Sequence, residues 1–345
     1  MERYYSSVLV SSGLLCYYKV LCSKHPESSI YIVNDGTDFD RAIFFEALQK
    51  KLQGYNITLY SPFYDETING IYIKNSDTFI ISDGGYSKIC PLSQGVCEKQ
   101  ISLSETRTIT QGEKREIADC FLGEKSFYKK ALLRLRYANV CKENRNSLLS
   151  DYLSDDRIIN ALSRILKKIP FGVKYGKPSV KFLAAVTPLG IHTQWDTVFE
   201  NYETIIELED NAAFSSAIIM GVIRDRLIHE NEEFILVPDL FHRVIPQMIL
   251  LPQTGIAIIR TDENHILPFA PSHRINTEKL VSAPKQIQQK CSLLLQAENN
   301  YMENAVSYIY EGREKRQKMN NILFPYCDAE SAKQKAEQIF NEITA

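Results

Sequence analysis

Hydrophobic positions along this chain follow two periods, and the order of the periods occurs twice. A β-branched apolar run at 30–33, bounded by polar turn residues, predicts a buried strand. The segment "RAIFFEALQKKL" after it places Ile43, Phe44, Ala47 and Leu48 on one face of a helix. Strands are predicted again at 57–60 and 79–82, with a short apolar piece between them. The series returns as a strand at 204–208, a helix over "SSAIIMGVIRDRLI" and strands at 234–237 and 256–259. Strand, helix, strand at this spacing is the βαβ unit of a parallel sheet. After each sheet the pattern turns to long helices. The first, at 113–144, carries Ile117, Phe121, Tyr128, Leu132, Leu135 and Cys141; the second covers 278–316. A final amphipathic helix is predicted over 329–343.

The two series align residue by residue. Ile30 matches Thr204, 174 residues on; Gly13 of "SSGLLCYYKVL" matches Gly190 of "TPLGIHTQWDTVF" at 177; Ile80 matches Ile258 at 178. A drift this small across three blocks points to duplication of a domain, since solenoid units run to only about 20–50 residues. A chain of 345 residues also agrees with two domains of about 150 residues each. The string "KKIPFGVKYGKPSV", rich in Pro and Gly, reads as the linker, dividing the chain into domains 1–172 and 173–345.

Forty basic residues against 42 acidic give a net charge of −2, which excludes a chain-wide field drawing in nucleic acid or anionic membrane. No nucleic-acid or membrane partner is expected. The basic stretch "KSFYKKALLRLRY" reads as an amphipathic helix with a solvated face. Eight cysteines form no C-x-x-C and no zinc-ligand spacing, which suits a reduced, cytoplasmic protein. The N-terminal run "SSVLVSSGLLCYY" is too short to span a bilayer and has a counterpart at 183–199 in mid-chain, so it is read as part of the fold. The six histidines show no H-E-x-x-H spacing; His242 and His265 read as surface or satisfied core residues.

A loop between a first strand and a helix is where P-loop proteins cradle phosphate. The pattern G-x-x-x-x-G-K-[ST] converges backbone N–H groups, a lysine and a metal-binding hydroxyl on the anion. Here the first loop reads "NDGTDFDRA". Asp35 falls on the first glycine with Gly36 beside it, Asp40 on the second, Arg41 on the lysine and Ala42 on the hydroxyl. The second loop, "LEDNAAFSS", puts Leu208, Ala213, Phe214 and Ser215 there, followed by Ser216. Neither matches. The loops are acidic as well, through Asp35, Asp38 and Asp40 in one and Glu207, Glu209 and Asp210 in the other. A carboxylate about 5 Å from a phosphate charge repels it by roughly 3 kcal/mol at an effective dielectric near 20. A helix N-terminus returns only about 1 kcal/mol. Tight triphosphate binding in the usual mode is therefore not expected. Ser215 and Ser216 read as helix-start caps or remnants of the hydroxyl. Asp35, Asp38, Asp40 and Asp83 are solvated loop acids, or alternatively the carboxylate set of a divalent cation.

With those blocks laid out, nearly the whole chain resembles a bacterial family of tandem P-loop ATPases of poorly defined role. The likeness is carried by "GLLCYY" and "TPLGIHTQW", by "YSPFYDETINGIYI", and by the strand ending in "ISDGG" with its long helix. In the second half it is carried by "LVPDLFHRVIPQMILLP" and "GIAII". The resemblance implies two tandem parallel-sheet P-loop NTPase-like domains of α/β class, each with a long helical appendage. It also implies a G-x-P-G-T-G-K-S-T loop in each copy, which this chain lacks in both. The family's metal-positioning Asp-Gly is kept as Asp83 and Gly84, and in the second copy the Asp falls on Arg260. The chain therefore reads as a degenerate member, a non-catalytic scaffold or interaction partner of another protein or of an intact paralogue. No cofactor is expected. The alternative is an atypical ATP-dependent enzyme, ATPase or nucleotide kinase-like, using the first half alone with ATP at Arg41 and Mg²⁺ on Asp83.

Overall fold

The computed structural model describes residues 2–18, 28–82, 98–103, 108–173, 175–212, 214–241, 245–263 and 265–344. The chain is mixed α/β. Its first sheet contains β1 (Glu2–Val10), β2 (Gly13–Cys16), β3 (Ser29–Val33), β4 (Ile57–Pro62), β5 (Gly70–Ile73), β6 (Thr78–Ser82) and β7 (Glu98–Ile101), in the order β2-β1-β4-β5-β6-β3-β7. The second contains β8 (Ser179–Val180), β11 (Thr204–Glu209), β12 (Ile235–Pro238), β13 (Pro246–Leu251), β14 (Ile256–Thr261) and β15 (His273–Asn276), in the order β15-β11-β14-β13-β12-β8. A separate hairpin joins β9 (Ala184–Thr187) to β10 (Gly190–Thr193).

Starting from β7 and from β15, the two sheets run through equivalent strands in the same order and direction. In each, the strand before the acidic loop lies between two parallel neighbours: β3 between β6 and β7, β11 between β14 and β15. The β1–β2 hairpin, in which Val10 faces Gly13, is matched by Thr187 facing Gly190. Gly13 and Gly190 turn these hairpins at φ of 139° and 116°, backbone that side chains rarely adopt.

The sheets are not wholly parallel, as the βαβ reading required. The short apolar piece in each half becomes β5 or β13, which runs antiparallel to both neighbours. Loop length dictates this. Residues 63–69 and 74–77 flank β5, and residues 239–245 and 252–255 flank β13. None of these is long enough for the crossover that a parallel connection needs.

Two helices hold the halves together. α1 (Asp38–Lys51) covers the first sheet, where Phe44, Phe45 and Leu48 are fully buried. The chain then reaches α2 (Gln111–Ser150) and α3 (Asp155–Leu166), and in the second half α4 (Trp195–Asn201), α5 (Ser215–His229), α6 (Lys285–Leu323) and α7 (Ala329–Thr344). At about 1.5 Å per residue, the 40 residues of α2 span roughly 60 Å. α2 and α6 lie antiparallel, because Glu124 meets Arg316 at one end while Arg145 meets Glu298 at the other. Their buried faces step by fours and threes: Glu124, Tyr128, Ala131, Leu135, Ala138 and Lys142 on α2, and Glu298, Met302, Ala305, Ile309, Gly312 and Arg316 on α6. This is the spacing of a coiled-coil seam. Each pair in that order is 174 residues apart, so the helices are buried at matching positions.

A local twofold relation follows. Tyr5 bridges Phe182 in antiparallel fashion, and these residues are themselves 177 apart, the offset of the hairpins. The short helices exchange sides in the same way. α3 follows the first half's long helix yet buries Ile158, Ala161 and Ile165 with Ile219, Ile223 and Leu227 of α5. α7 ends the second half yet buries Ala332, Ala336 and Ile339 with Phe44 and Leu48 of α1.

The seam leaves no room at Gly312, where an added Cβ would lie 2.4 Å from Cε1 of Tyr128. Helix propensity alone favours alanine over glycine by about 1 kcal/mol. Overpacking against a buried ring costs about 1–3 kcal/mol. Gly312→Ala is therefore expected to lower stability in urea unfolding, with partial recovery when Tyr128→Leu is added. A stabilised Gly312→Ala variant would contradict this packing.

Candidate functional site

Four residues, Asn34 to Thr37, link β3 to α1, and five, Asp210 to Phe214, link β11 to α5. The phosphate-wrapping pattern needs a longer link, with four residues between its two glycines alone. What these short links do with their polar groups determines what each site can hold.

In the first loop, Asp35 turns away from α1 and accepts the amide of Leu103 at 2.6 Å and the hydroxyl of Ser102. Gly36 takes φ 88°, and a Cβ there would meet Leu103 and Asp40 at 3.1 and 3.2 Å. Thr37 caps α1 by accepting the amide of Asp40 at 3.1 Å, while Asp40 Oδ2 accepts the amide of Thr37 at 2.7 Å. This capping box closes the helix start. The other oxygen of Asp40, wholly buried, accepts the amide of Asp328 just before α7. Arg41 turns back onto Asp38 and donates to the carbonyl of Gly36 at 3.0 Å. Ala42 lies inside α1 with no group to offer a metal. Asp83 and Gly84 lie outside the described residues.

The second half closes its loop differently. Asp210, 1% exposed, accepts the amide of Ser216 and the hydroxyl of Ser215, both at 2.9 Å, and the amide of Ala212 at 3.1 Å. Its carboxylate sits on the first turn of α5, where an anion would bind. The same Ser215 hydroxyl lies 2.7 Å from the carbonyl of Thr277, so its one proton is shared between two acceptors and it is held inside the protein. Ser216 receives Nε of Arg260 at 3.3 Å. Neither serine is the N-cap, which falls on Phe214 without a side-chain bond. Ala213 and His242 are outside the described residues.

Sequence reasoning missed the cations that reach from one half to carboxylates of the other, Asp38 in the first acidic loop and Asp239 just past β12. Asp38 accepts Nε of Arg316 at 2.7 Å and Nδ2 of Asn320 at 2.9 Å, both from α6. Phe39 packs edge-on against Phe324 at 4.9 Å. In the second half, Asp239 accepts Nζ of Lys142 on α2 at 3.0 Å and the guanidinium of Arg260 at 3.2 Å. Lys142 and Arg316 are equivalent residues, 174 apart, and each crosses to a carboxylate of the other half. That shared offset was the one available signal. Arg260, aligned with the metal-positioning Asp, is thus a buried ion-pair cation.

Burial raises the carboxyls of Asp38 and Asp239, but the cations outweigh it. Arg316 and then Arg41 hold Asp38 below the usual carboxylate range; Lys142 and then Arg260 do so for Asp239. Burial prevails at Glu124 and Glu298, which titrate above the ordinary range. It also lowers His265, a core residue bonded to Thr193 at 2.8 Å.

Among the described residues, no group of three or more His, Cys, Asp or Glu side chains is placed to hold a metal ion, and no helix is long and apolar enough to cross a membrane. An open cleft of about 400 Å³ lies between the halves, lined in part by Arg3, Glu66, His192 and Trp195. Comparison with protein-family models, curated proteins and solved structures finds no match to the chain.

A carboxyl depressed on folding stabilises above its unfolded pKa, and that stabilisation is lost as pH falls. For Asp38 and Asp239 the loss begins below about pH 4. Glu124 and Glu298, raised on folding, act in the opposite sense and favour the fold on acidification. The urea midpoint is expected to fall between pH 4 and pH 2. Asp239→Asn should be less stable at pH 7, since it leaves Lys142 and Arg260 short of an anion, and should lose less than wild type on acidification. An unchanged acid slope in that variant would contradict the assignment.

Proposed function

We propose that this chain is a non-catalytic protein of P-loop NTPase-like descent, retained as a scaffold or interaction partner in the cytoplasm. One observation carries the reading. In both halves the chain's own side chains already bond the helix start that a phosphate tail would need: Thr37 and Asp40 through the capping box of α1, Asp210 on the first-turn amide of α5. Further contacts support it. Arg41, the residue aligned with the catalytic lysine, is bound to Asp38 and to Gly36. Displacing Asp210 would leave the amides of Ser216 and Ala212 in search of another acceptor, at a cost of about 1–3 kcal/mol for the buried Ser216 group if it is left unmet. A nucleotide would have to meet that cost before gaining any contact.

The partner is another protein or an intact paralogue of the chain. The cross-half ion pairs serve a scaffold well, since they fix the two sheets relative to each other through Lys142 and Arg316.

A ligand at ten times its Kd raises stability by about 1.4 kcal/mol, enough to show in a melt. Mg-ATP at 5 mM is expected to leave the melting temperature unchanged and to release no phosphate. A clear rise in melting temperature, or steady phosphate release abolished by Arg41→Ala, would overturn the reading in favour of an ATP-dependent first half.

A further inference from the structure

The outer edge of the second sheet carries a groove of about 960 Å³ between α3 and β15. Its walls hold four cationic side chains, Arg157, Arg164, Arg274 and Lys279, and its floor is apolar through Ala161, Ile275, Leu280 and Val281. The lining includes no carboxylate and no aromatic ring. In a chain with a net charge of −2, this concentration of positive charge is local. Part of it is tied down: Arg274 pairs with Glu207 at 2.6 Å, and Arg157 donates to the carbonyl of Lys279 at 2.8 Å. Among the described residues, Arg164 and Lys279 hold no ion pair.

The strand beside these cations has a free edge. β15 pairs with β11 alone. The amide of Thr277, just past its end, donates to Glu209 of β11 at 2.9 Å. Because main-chain groups alternate sides along a strand, Arg274 and Asn276 then direct their amide and carbonyl groups away from β11. An exposed row of that kind is a template for an added strand.

We propose that this groove docks an extended acidic peptide of a partner protein, which pairs with the outer edge of β15 and sets carboxylates against Arg157, Arg164 and Lys279. Hydrogen bonds to Arg274 and Asn276 supply the register, and alternate apolar residues reach the floor. Single-stranded nucleic acid fits the charge but finds no ring on which to stack its bases. The groove's cations belong to neither acidic loop, so this inference goes beyond the reading of those loops and stands or falls separately from it.

Fluorescence anisotropy with the full chain at low salt provides the test. The probes are a labelled decapeptide alternating glutamate and valine, the same peptide with lysine for glutamate, and a twelve-residue oligothymidylate. The acidic peptide is expected to bind and the lysine peptide not to. The Kd should rise at least tenfold in Arg157→Glu/Arg164→Glu, whose substitutions lie on the outer face of α3. Asn276→Pro, which removes one outward amide at a position where an edge strand tolerates proline, should weaken binding similarly. If that variant melts early, the arginine pair decides alone. No acidic-peptide binding up to millimolar concentration would overturn the proposal. So would binding that the arginine variant leaves unchanged, or an oligothymidylate bound more tightly than the peptide.

Discussion

Arg316 lies in the seam between the two long helices, 6% exposed, and touches three things at once. Its guanidinium bonds Glu124 of the facing helix and Asp38 of the first acidic loop, and it stacks over the ring of Tyr64 at 4.5 Å. A buried ion pair adds little net stability over a well-packed apolar pair, but losing one partner costs about 3–5 kcal/mol by stranding the other charge. Arg316 therefore commits two carboxylates to one arrangement of helix and loop. Lys142 plays the equivalent part for Asp239, which also engages Arg260. With these cations in place, the helical seam is tied to the first acidic loop through Asp38 and to the second sheet through Asp239.

The loops themselves are closed by further contacts. An acidic bend at a helix start repels phosphate, but repulsion alone leaves an open cavity. Here each bend is also occupied. Asp210 serves the amides of its own helix, and Asp40 serves Thr37 on one side and Asp328 on the other. The segment bearing Phe324 and Asp328 comes from the opposite half, because α7 crosses to cover α1. Closure of the first loop is thus a consequence of the helix exchange, whereas the second loop closes within its own strand, loop and helix.

Much of the fold could be read from the chain. The β-branched runs marked β3, β4, β6 and their equivalents, and the offsets near 174 and 177 anticipated a repeat that the two strand orders follow. The antiparallel β5 and β13 registered only as short apolar pieces, since direction depends on loop length and not on apolar pattern. The helical seam was harder to see. Ile117, Phe121 and Leu132 stand out in the sequence but lie on its flanks, half-buried. Tyr128 and Leu135, named by the same pattern, do lie in it, but between them and beyond them it is built from Glu124, Ala131, Ala138 and Lys142, residues that a hydrophobicity reading assigns to solvent or ignores.

The acidic loops were legible as well, but not their occupancy. Asp38 finds Arg316 278 residues away, and nothing local to "NDGTDFDRA" announces that partner. The exchange of α3 and α7 was equally hidden, because an amphipathic helix shows which face it buries and not which sheet it meets. The central claim, that the two helix starts are already filled, is tested most directly by hydrogen–deuterium exchange across residues 34–42 and 210–218, with and without millimolar Mg-ATP. Unchanged exchange in both segments is the predicted result; new protection in either one on adding nucleotide would contradict the account.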